Sequence, residues 1–300
     1  MAELMSGSFY NRLLAEPVSF VFPGFFIRMY QRSGRGNRFM DFTEKPIISL
    51  SFDCDLPQDI AALPNILKLL SGYKFKTSFA CIGKWVEKHV DLHLRIINEG
   101  HEIINHTYSH PNSEVFNPDR RFDQITYQER EEEVIRCHEV INKLLNYTPI
   151  GFRVPHFGNQ FTDDIYKILS GLNYRYSSST VALRSQSRGY PYRPYGRVIE
   201  FPVSPCPRHP LACFDSYHFF RTAHPAYKFS HRHREDFLKC FSKLLKSAGQ
   251  SGAYLNVYFD PLDVVENDEF GLILDSIAGA DAAVLNYSEI IQRLDAAKKV

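Results

Sequence analysis

No two of the six cysteines stand at CxxC spacing, and no apolar run is long enough to span a bilayer. Cys54, Cys81, Cys137, Cys206, Cys213 and Cys240 are scattered along the chain. That excludes a zinc ribbon and gives no support to a disulfide framework; reduced thiols in a cytoplasmic protein are expected instead. Neither sign of charge is in excess, with 35 Lys+Arg against 34 Asp+Glu. A nucleic-acid partner would normally need a basic surplus, so none is expected. Neutral or zwitterionic small molecules and sugars fit this balance. No basic stretch followed by an apolar run is present near Met1, so no secretory signal is read. Repeats and low-complexity tracts are missing too. What the 300 residues do have is 44% hydrophobic side chains, ample for a packed core.

The hydrophobic pattern alternates between strand and helix from residue 46 onward. Strands are predicted at 47–53, 75–82, 101–105, 149–154, 172–176, 198–203, 253–259 and 282–285. Helices are predicted at 58–70, 84–98, 127–145, 162–169, 235–246, 269–277 and 287–297. Gly72 is a plausible stop for the first. Thr126 with Glu129 three residues on makes a capping box for the third. Such alternation favours parallel pairing through crossover helices. The fold class is α/β, a distorted (β/α) barrel of about seven to eight parallel strands over residues 46–300. Residues 1–45 form an N-terminal arm packed on the barrel. Its apolar segment 18–27 is broken by Pro23-Gly24 and is either packing surface or a place that touches membrane or a partner subunit. Residues 177–195 and 204–233 read as long loops, of the kind that wall a site.

Reactive side chains gather at the C-terminal ends of the predicted strands, where active sites of parallel barrels lie. Asp53 and Asp55 end the first, His106 and His110 follow the third, Arg153 ends the fourth, and Asp260 follows the strand that begins at Ala253. A spacing of four lets His106 and His110 face one ion across a helical turn, or leaves them as two surface histidines. Asp55 adds a hard oxygen ligand, and two His plus one carboxylate leave positions open for water and substrate. Asp53 and Asp55 point to the same side if the strand persists through them. One can then ligate while the other stays free as a base; otherwise they are a helix cap. Arg153, flanked by apolar residues, needs a carboxylate partner if buried, and Asp53 is the natural one.

These motifs resemble the polysaccharide deacetylases. Ser51-Phe-Asp-Cys-Asp55, His101-Glu-Ile-Ile-Asn-His-Thr-Tyr-Ser-His110 and Phe152-Arg-Val-Pro-His-Phe-Gly158 are similar to that family's first three motifs, in the same order. Lys76 to Trp85 and Glu200-Phe-Pro-Val203 also fit. The resemblance implies metal-assisted hydrolysis of an N-acetyl group on an amino-sugar or glycan substrate. It implies that Asp55, His106 and His110 hold a divalent ion, commonly zinc, that Asp53 is the general base oriented by Arg153, and that the N–H of His156 helps hold the oxyanion.

Two places depart from the family pattern. Tyr176-Ser-Ser-Ser-Thr180 lacks the usual Asp, and Tyr258-Phe-Asp-Pro261 puts Asp260 where a His usually serves as general acid. Asp260 can donate a proton only if burial or a neighbouring anion raises its pKa. Otherwise His209, His218 or His224 is a substitute donor, or an ordinary loop histidine. The departure keeps two other readings in view: an amidase on a small or cyclic amide, and a weakened barrel that binds glycan or a partner. Tyr190, Tyr192, Tyr195, Phe214, Tyr217, Phe219 and Phe220 offer sugar-stacking faces or simply packing. The cluster His231-Arg-His-Arg234 reads as a solvated face or a phosphate-binding patch. An integral membrane span is not expected; peripheral membrane contact and a homo-oligomer stay open.

Overall fold

The computed structural model describes residue 15 and residues 17–33, 39–221, 234–266 and 269–297. His224 and residues 231–233 of the basic cluster lie outside the described residues. In chain order the elements are α1 (Pro23–Ser33), β1 (Ile47–Cys54), α2 (Pro57–Tyr73), β2 (Ser78–Cys81), α3 (Gly83–Lys88), α4 (Val90–Asn98) and β3 (Glu102–Asn105). Then come α5 (Tyr127–Leu145), β4 (Gly151–Phe152), α6 (Ile165–Gly171), β5 (Tyr176–Ser177), β6 (Tyr192–Tyr195), β7 (Val198–Glu200) and α7 (Ser216–Phe220). The chain ends with α8 (Arg234–Ser251), β8 (Leu255–Phe259), α9 (Pro261–Val265), α10 (Glu269–Ala278), β9 (Ala283–Val284) and α11 (Tyr287–Ala297).

The sheet runs in the order β6-β7-β5-β4-β3-β2-β1-β8, with β9 also paired to β1. Every pairing is parallel except β6 with β7. β1 lies between β2 and β8, and all eight of its residues are buried. Ile48, Leu50, Phe52 and Cys54 enter the main core, and the buried polar Ser49, Ser51 and Asp53 alternate with them on the other face. The sheet curls as a half-barrel, and the segment that follows β7 meets β8 at a seam. There Ser204 N–H donates to Asn256 O at 2.8 Å and Asn256 N–H donates to Ser204 Oγ at 2.9 Å. The Asn256 side chain donates to Phe201 O at 2.9 Å across the same seam.

Several predicted elements differ in detail. Gly72 does not stop α2; the helix runs on to Tyr73 and Lys74 takes the left-handed cap at φ 57°. The single helix predicted over 84–98 is two, α3 and α4, meeting at His89 (φ −137°, ψ 51°). The loop predicted at 177–195 contains β6, paired antiparallel to β7. The apolar segment is interrupted where Pro23-Gly24 predicts: helical residues 17–21 end before Phe22, and Pro23 opens α1, where a proline forfeits no intrahelical hydrogen bond. Phe26 and Tyr30 of α1 enter the main core. The Tyr30 hydroxyl hydrogen-bonds Ser204 Oγ at 2.9 Å and the Tyr254 carbonyl, beside the sheet seam. The capping box of α5 forms as its spacing predicts, with Thr126 Oγ1 accepting from Glu129 N–H and Glu129 accepting from Thr126 N–H.

Candidate metal and active site

The parallel register decides which residues share an edge. Asp53 pairs across from Ala80, Asn105 from Phe152, and Phe52 from Phe259. The residues that follow those positions therefore emerge together: Asp55 after β1, His106 after β3, Arg153 after β4 and Asp260 after β8. Asp53 still lies on β1, whereas Asp55 is past its end.

His106 and His110 do not face each other across a helical turn. Residues 106–110 are an irregular loop in which Thr107 (φ 64°) and His110 (φ 51°) take left-handed backbone. For residues with a Cβ that conformation is costly and persists only where the surroundings enforce it. Here Asn105 Oδ1 accepts the Thr107 N–H at 3.0 Å, and Thr107 Oγ1 accepts the His110 N–H at 3.1 Å. Glu133 on α5 takes both the N–H and the hydroxyl of Ser109, at 2.8 and 2.7 Å. The amides of Gly83 and Lys84, at the start of α3, donate to the Thr107 and Tyr108 carbonyls at 3.0 Å each.

The loop aims three donors at one point. His106 Nδ1 sits 2.8 Å from the Arg153 carbonyl, which accepts its proton and leaves Nε2 as the lone-pair nitrogen. His106 Nε2 lies 3.2 Å from Asp55 Oδ1, and His110 Nε2 lies 3.4 Å from Asp55 Oδ2. Yet Asp55 Oδ1, His106 Nε2 and both ring nitrogens of His110 are buried without a hydrogen-bond partner. Buried polar atoms left that way cost free energy, and so many converging at one place are best explained by a ligand. Two imidazoles and one carboxylate suit a divalent transition ion with open positions. The residues present therefore fit such an ion. Enclosure pushes the Asp55 carboxyl up, but the charges of His110 and His106 outweigh it and hold it well below the usual range.

Asp53 and Arg153 form a buried pair beside this triad. The Arg153 side chain is 0% exposed and its Nη1 donates to Asp53 Oδ1. Its other donors reach Ser178 O (3.1 Å), Ser51 Oγ (2.9 Å), Ser178 Oγ (3.2 Å) and Tyr287 Oη (2.9 Å). The guanidinium also lies over the Phe157 and Tyr258 rings. A charge taken this far from water needs every donor occupied, and it has them. Burial is the largest effect and leaves the Asp53 carboxyl above its usual range, with Arg153 and then His106 pulling against it.

Ser51, Ser178, Tyr287 and Glu102 were not singled out from the sequence. Glu102 accepts the N–H groups of Tyr287 (2.9 Å) and Ser288 (3.1 Å), an anion at the N-terminus of α11 that fixes Tyr287 against Arg153. The serine run that departs from the family pattern is a holding network: Ser178 binds Arg153, and Glu200 accepts the Ser179 and Thr180 N–H groups at 2.9 Å each. A run of three serines beside Thr180, followed by a buried Glu200, was the available signal.

Asp260 is buried on the opposite wall. Ser216 Oγ donates to its Oδ2 at 3.0 Å and accepts its N–H at 2.8 Å, while Arg221 Nη2 stands 3.4 Å from Oδ2. Burial, then Asp59 and Asp263, push its carboxyl well above the usual range, against the pull of Arg221. Asp59 itself is raised to about 7, first by burial. His209 and His218 are not ordinary loop histidines: both are buried, with Nδ1 of one 2.8 Å from Nε2 of the other. Of the seven aromatics read as sugar-stacking faces or packing, Phe214, Phe219 and Tyr190 are buried; Phe214 stacks on Phe237, and Phe219 packs against the same ring at a tilt. Tyr195 and Tyr217 are exposed.

Residues 41–177 match the family model for polysaccharide deacetylase. Over that segment the chain is similar to the polysaccharide deacetylases. The peptidoglycan-N-acetylglucosamine deacetylase of Bacillus cereus is 38% identical over 112 residues, which is 37% of this chain and 37% of that protein. A chitooligosaccharide deacetylase of Sinorhizobium fredii is 31% identical over 86 residues, 29% of this chain and 35% of that one. The chain thus spans roughly a third of the length of these curated relatives. A solved Mycobacterium smegmatis structure, provisionally named a polysaccharide deacetylase, covers 85% of this chain and 92% of its own with a TM-score of 0.69 at 16% identity. That likeness carries the fold. The matched deacetylase segment includes Asp53, Asp55, His106, His110 and Arg153; Asp260 lies beyond it.

Proposed function

We propose that the protein is a metal-dependent hydrolase that removes N-acetyl groups from an amino sugar or glycan, with zinc as the resident ion. The single observation that carries this reading is the set of partnerless donors on Asp55, His106 and His110 beside the Asp53–Arg153 pair. The names of the matched relatives support the substrate class. Asp55, His106 and His110 would hold the ion, which supplies Lewis-acid polarisation of the amide carbonyl.

The chain's own groups do the rest. Asp53 takes the proton of the attacking water, and Arg153 keeps its carboxylate aimed while the serines and Tyr287 keep Arg153 aimed. Asp260, held protonated by burial and its acidic neighbours, gives the leaving amine its proton. The N–H of His156 faces the developing oxyanion. Among the described residues no helix is long and apolar enough to cross a membrane. Six buried free thiols fit a cytoplasmic setting. Exposed Val18, Val21 and Phe22 would serve a peripheral membrane contact or a second copy of the chain.

The test is acetate release from N-acetylated amino sugars and short oligosaccharides. Release should stop on chelation, return with zinc, and vanish in Asp53→Asn with metal retained. Asp260 in place of a histidine favours one alternative, an amidase on small or cyclic amides, so the panel includes those. Cleavage of a cyclic amide with no acetate from any sugar would replace the deacetylase reading. Metal bound with nothing cleaved would favour a glycan-binding role.

A further inference from the structure

Three donor atoms outside the site above meet in the wall that carries Asp260. Cys206, His209 and His218 are buried, and one donor atom of each lies within 4.8 Å of the others. The backbone builds this meeting. Cys206 N–H donates to Ala212 O (2.9 Å), Ala212 N–H to His209 O (2.8 Å) and Phe214 N–H to Ser204 O (2.9 Å), folding residues 204–214 into a tight turn. That turn puts Cys206 and His209 on one side. Asp215 then accepts the His218 N–H at 2.6 Å and starts α7, which returns His218 to the same point.

The separations are 2.8 Å between the two nitrogens and 3.9 Å between Cys206 Sγ and His209 Nδ1. Zinc bonds of about 2.0–2.1 Å to nitrogen and about 2.3 Å to sulfur, at tetrahedral angles, need about 3.3 and about 3.6 Å. Both observed separations are within about half an ångström of those values. A hydrogen bond between the two imidazoles accounts for their contact alone. It gives no reason for a thiol to converge on the same nitrogen. Cys240 of α8 provides a further thiol, in contact with Cys206.

We propose that Cys206, His209 and His218 form a second metal site that binds zinc as a structural ion. The donor set differs in kind from Asp55, His106 and His110. Sulfur with imidazole is a soft donor set of the kind structural zinc sites use, whereas carboxylate with imidazole suits a harder, catalytic one. An ion here ties the 204–214 turn and α7 together. Ser216, between His209 and His218 in the chain, is the residue that hydrogen-bonds Asp260. The second ion thereby holds the wall that positions Asp260.

The experiment loads the stripped full-length protein with cobalt(II) and records its absorption, then counts zinc per chain in separately prepared protein. The wild type should show a thiolate-to-cobalt charge-transfer band and should bind one ion more than Asp55→Ala. The band should persist in Asp55→Ala and disappear in Cys206→Ser and His209→Ala, each checked for native circular dichroism. Absence of the band in wild-type protein overturns the proposal whatever the variants do. So does a band that survives both Cys206→Ser and His209→Ala. Neither readout depends on turnover, so loss of the deacetylase reading would leave this result standing.

Discussion

Asp53 and Asp260 are two buried carboxylates on facing walls, and their surroundings drive them apart. The Asp53 wall, β1 to β4, opposes burial with a fully buried guanidinium whose three nitrogens are all engaged. The Asp260 wall, β8 with residues 204–221, reinforces burial with Asp59 and Asp263 and offers one part-exposed Arg221 in return. One wall makes a held base and the other a held acid from the same side chain. Identity of the residue therefore says little about its role; the charge of its neighbours says much.

The sharpest way to break this contrast is to remove the two arginines in turn. Arg153→Met strands Asp53 as an uncompensated buried charge and should cost about 3–5 kcal/mol in urea unfolding. Arg221→Met leaves a carboxyl that simply keeps its proton, and should cost less than about 1 kcal/mol. Equal losses would show that Asp260 is as ionised as Asp53. Next in size is Asp260→Asn, where a neutral amide replaces a neutral acid. Folding stability should change little while kcat falls about 10²–10⁴-fold, the loss expected of a proton donor. A stability loss near that of Arg153→Met would mean an ion pair had been broken instead.

Acid sensitivity of turnover has to be separated from acid sensitivity of the fold, and His101 supplies the latter. Its Nδ1 accepts the Thr77 N–H at 3.1 Å, and burial lowers its pKa from 6.5 to about 4. The unfolded chain therefore takes up this proton at a higher pH than the folded one. The contribution is fully present above about pH 6.5 and is lost as pH falls towards about 4, by roughly 3 kcal/mol. His101→Asn should flatten that slope in unfolding experiments at pH 4–7. A slope that survives the substitution would assign it to other groups.

How far each wall could be read from the sequence follows from how local its signals are. The Thr126–Glu129 capping box is complete within four residues, and α5 begins where it says. Asp53, Asp55, His106, His110 and Arg153 could be grouped because parallel strands deliver their C-terminal ends to one edge. The conformation of residues 106–110 could not, because its left-handed residues depend on Glu133 and the start of α3, distant in sequence. Nor could the two-point hold of Ser216 on Asp260, 44 residues away. β6 was hidden because Tyr192-Arg-Pro-Tyr195 carries a proline and reads as loop, although an edge strand tolerates one.

The smallest expected effect separates walls held by hydrogen bonds from walls held by charge. On the Asp53 side, Ser109 and Glu133 pin the histidine loop through a 2.7 Å hydroxyl contact and a 2.8 Å amide contact. Ser109→Ala removes the first, together with the 3.0 Å bond from Asn117 Nδ2, and keeps the second. A double-mutant cycle with Glu133→Gln should return a coupling of about 1 kcal/mol, the usual net worth of one such bond. Added salt should leave that coupling nearly unchanged, because both groups are largely shielded from solvent. The corresponding cycle between Arg221 and Asp263, joined at 3.1 Å with the arginine part-exposed, should weaken as salt rises. If both cycles respond to salt alike, the two walls do not differ in the way their side chains are held, and the separate roles of Asp53 and Asp260 must come from the ion beside Asp55 rather than from the walls themselves.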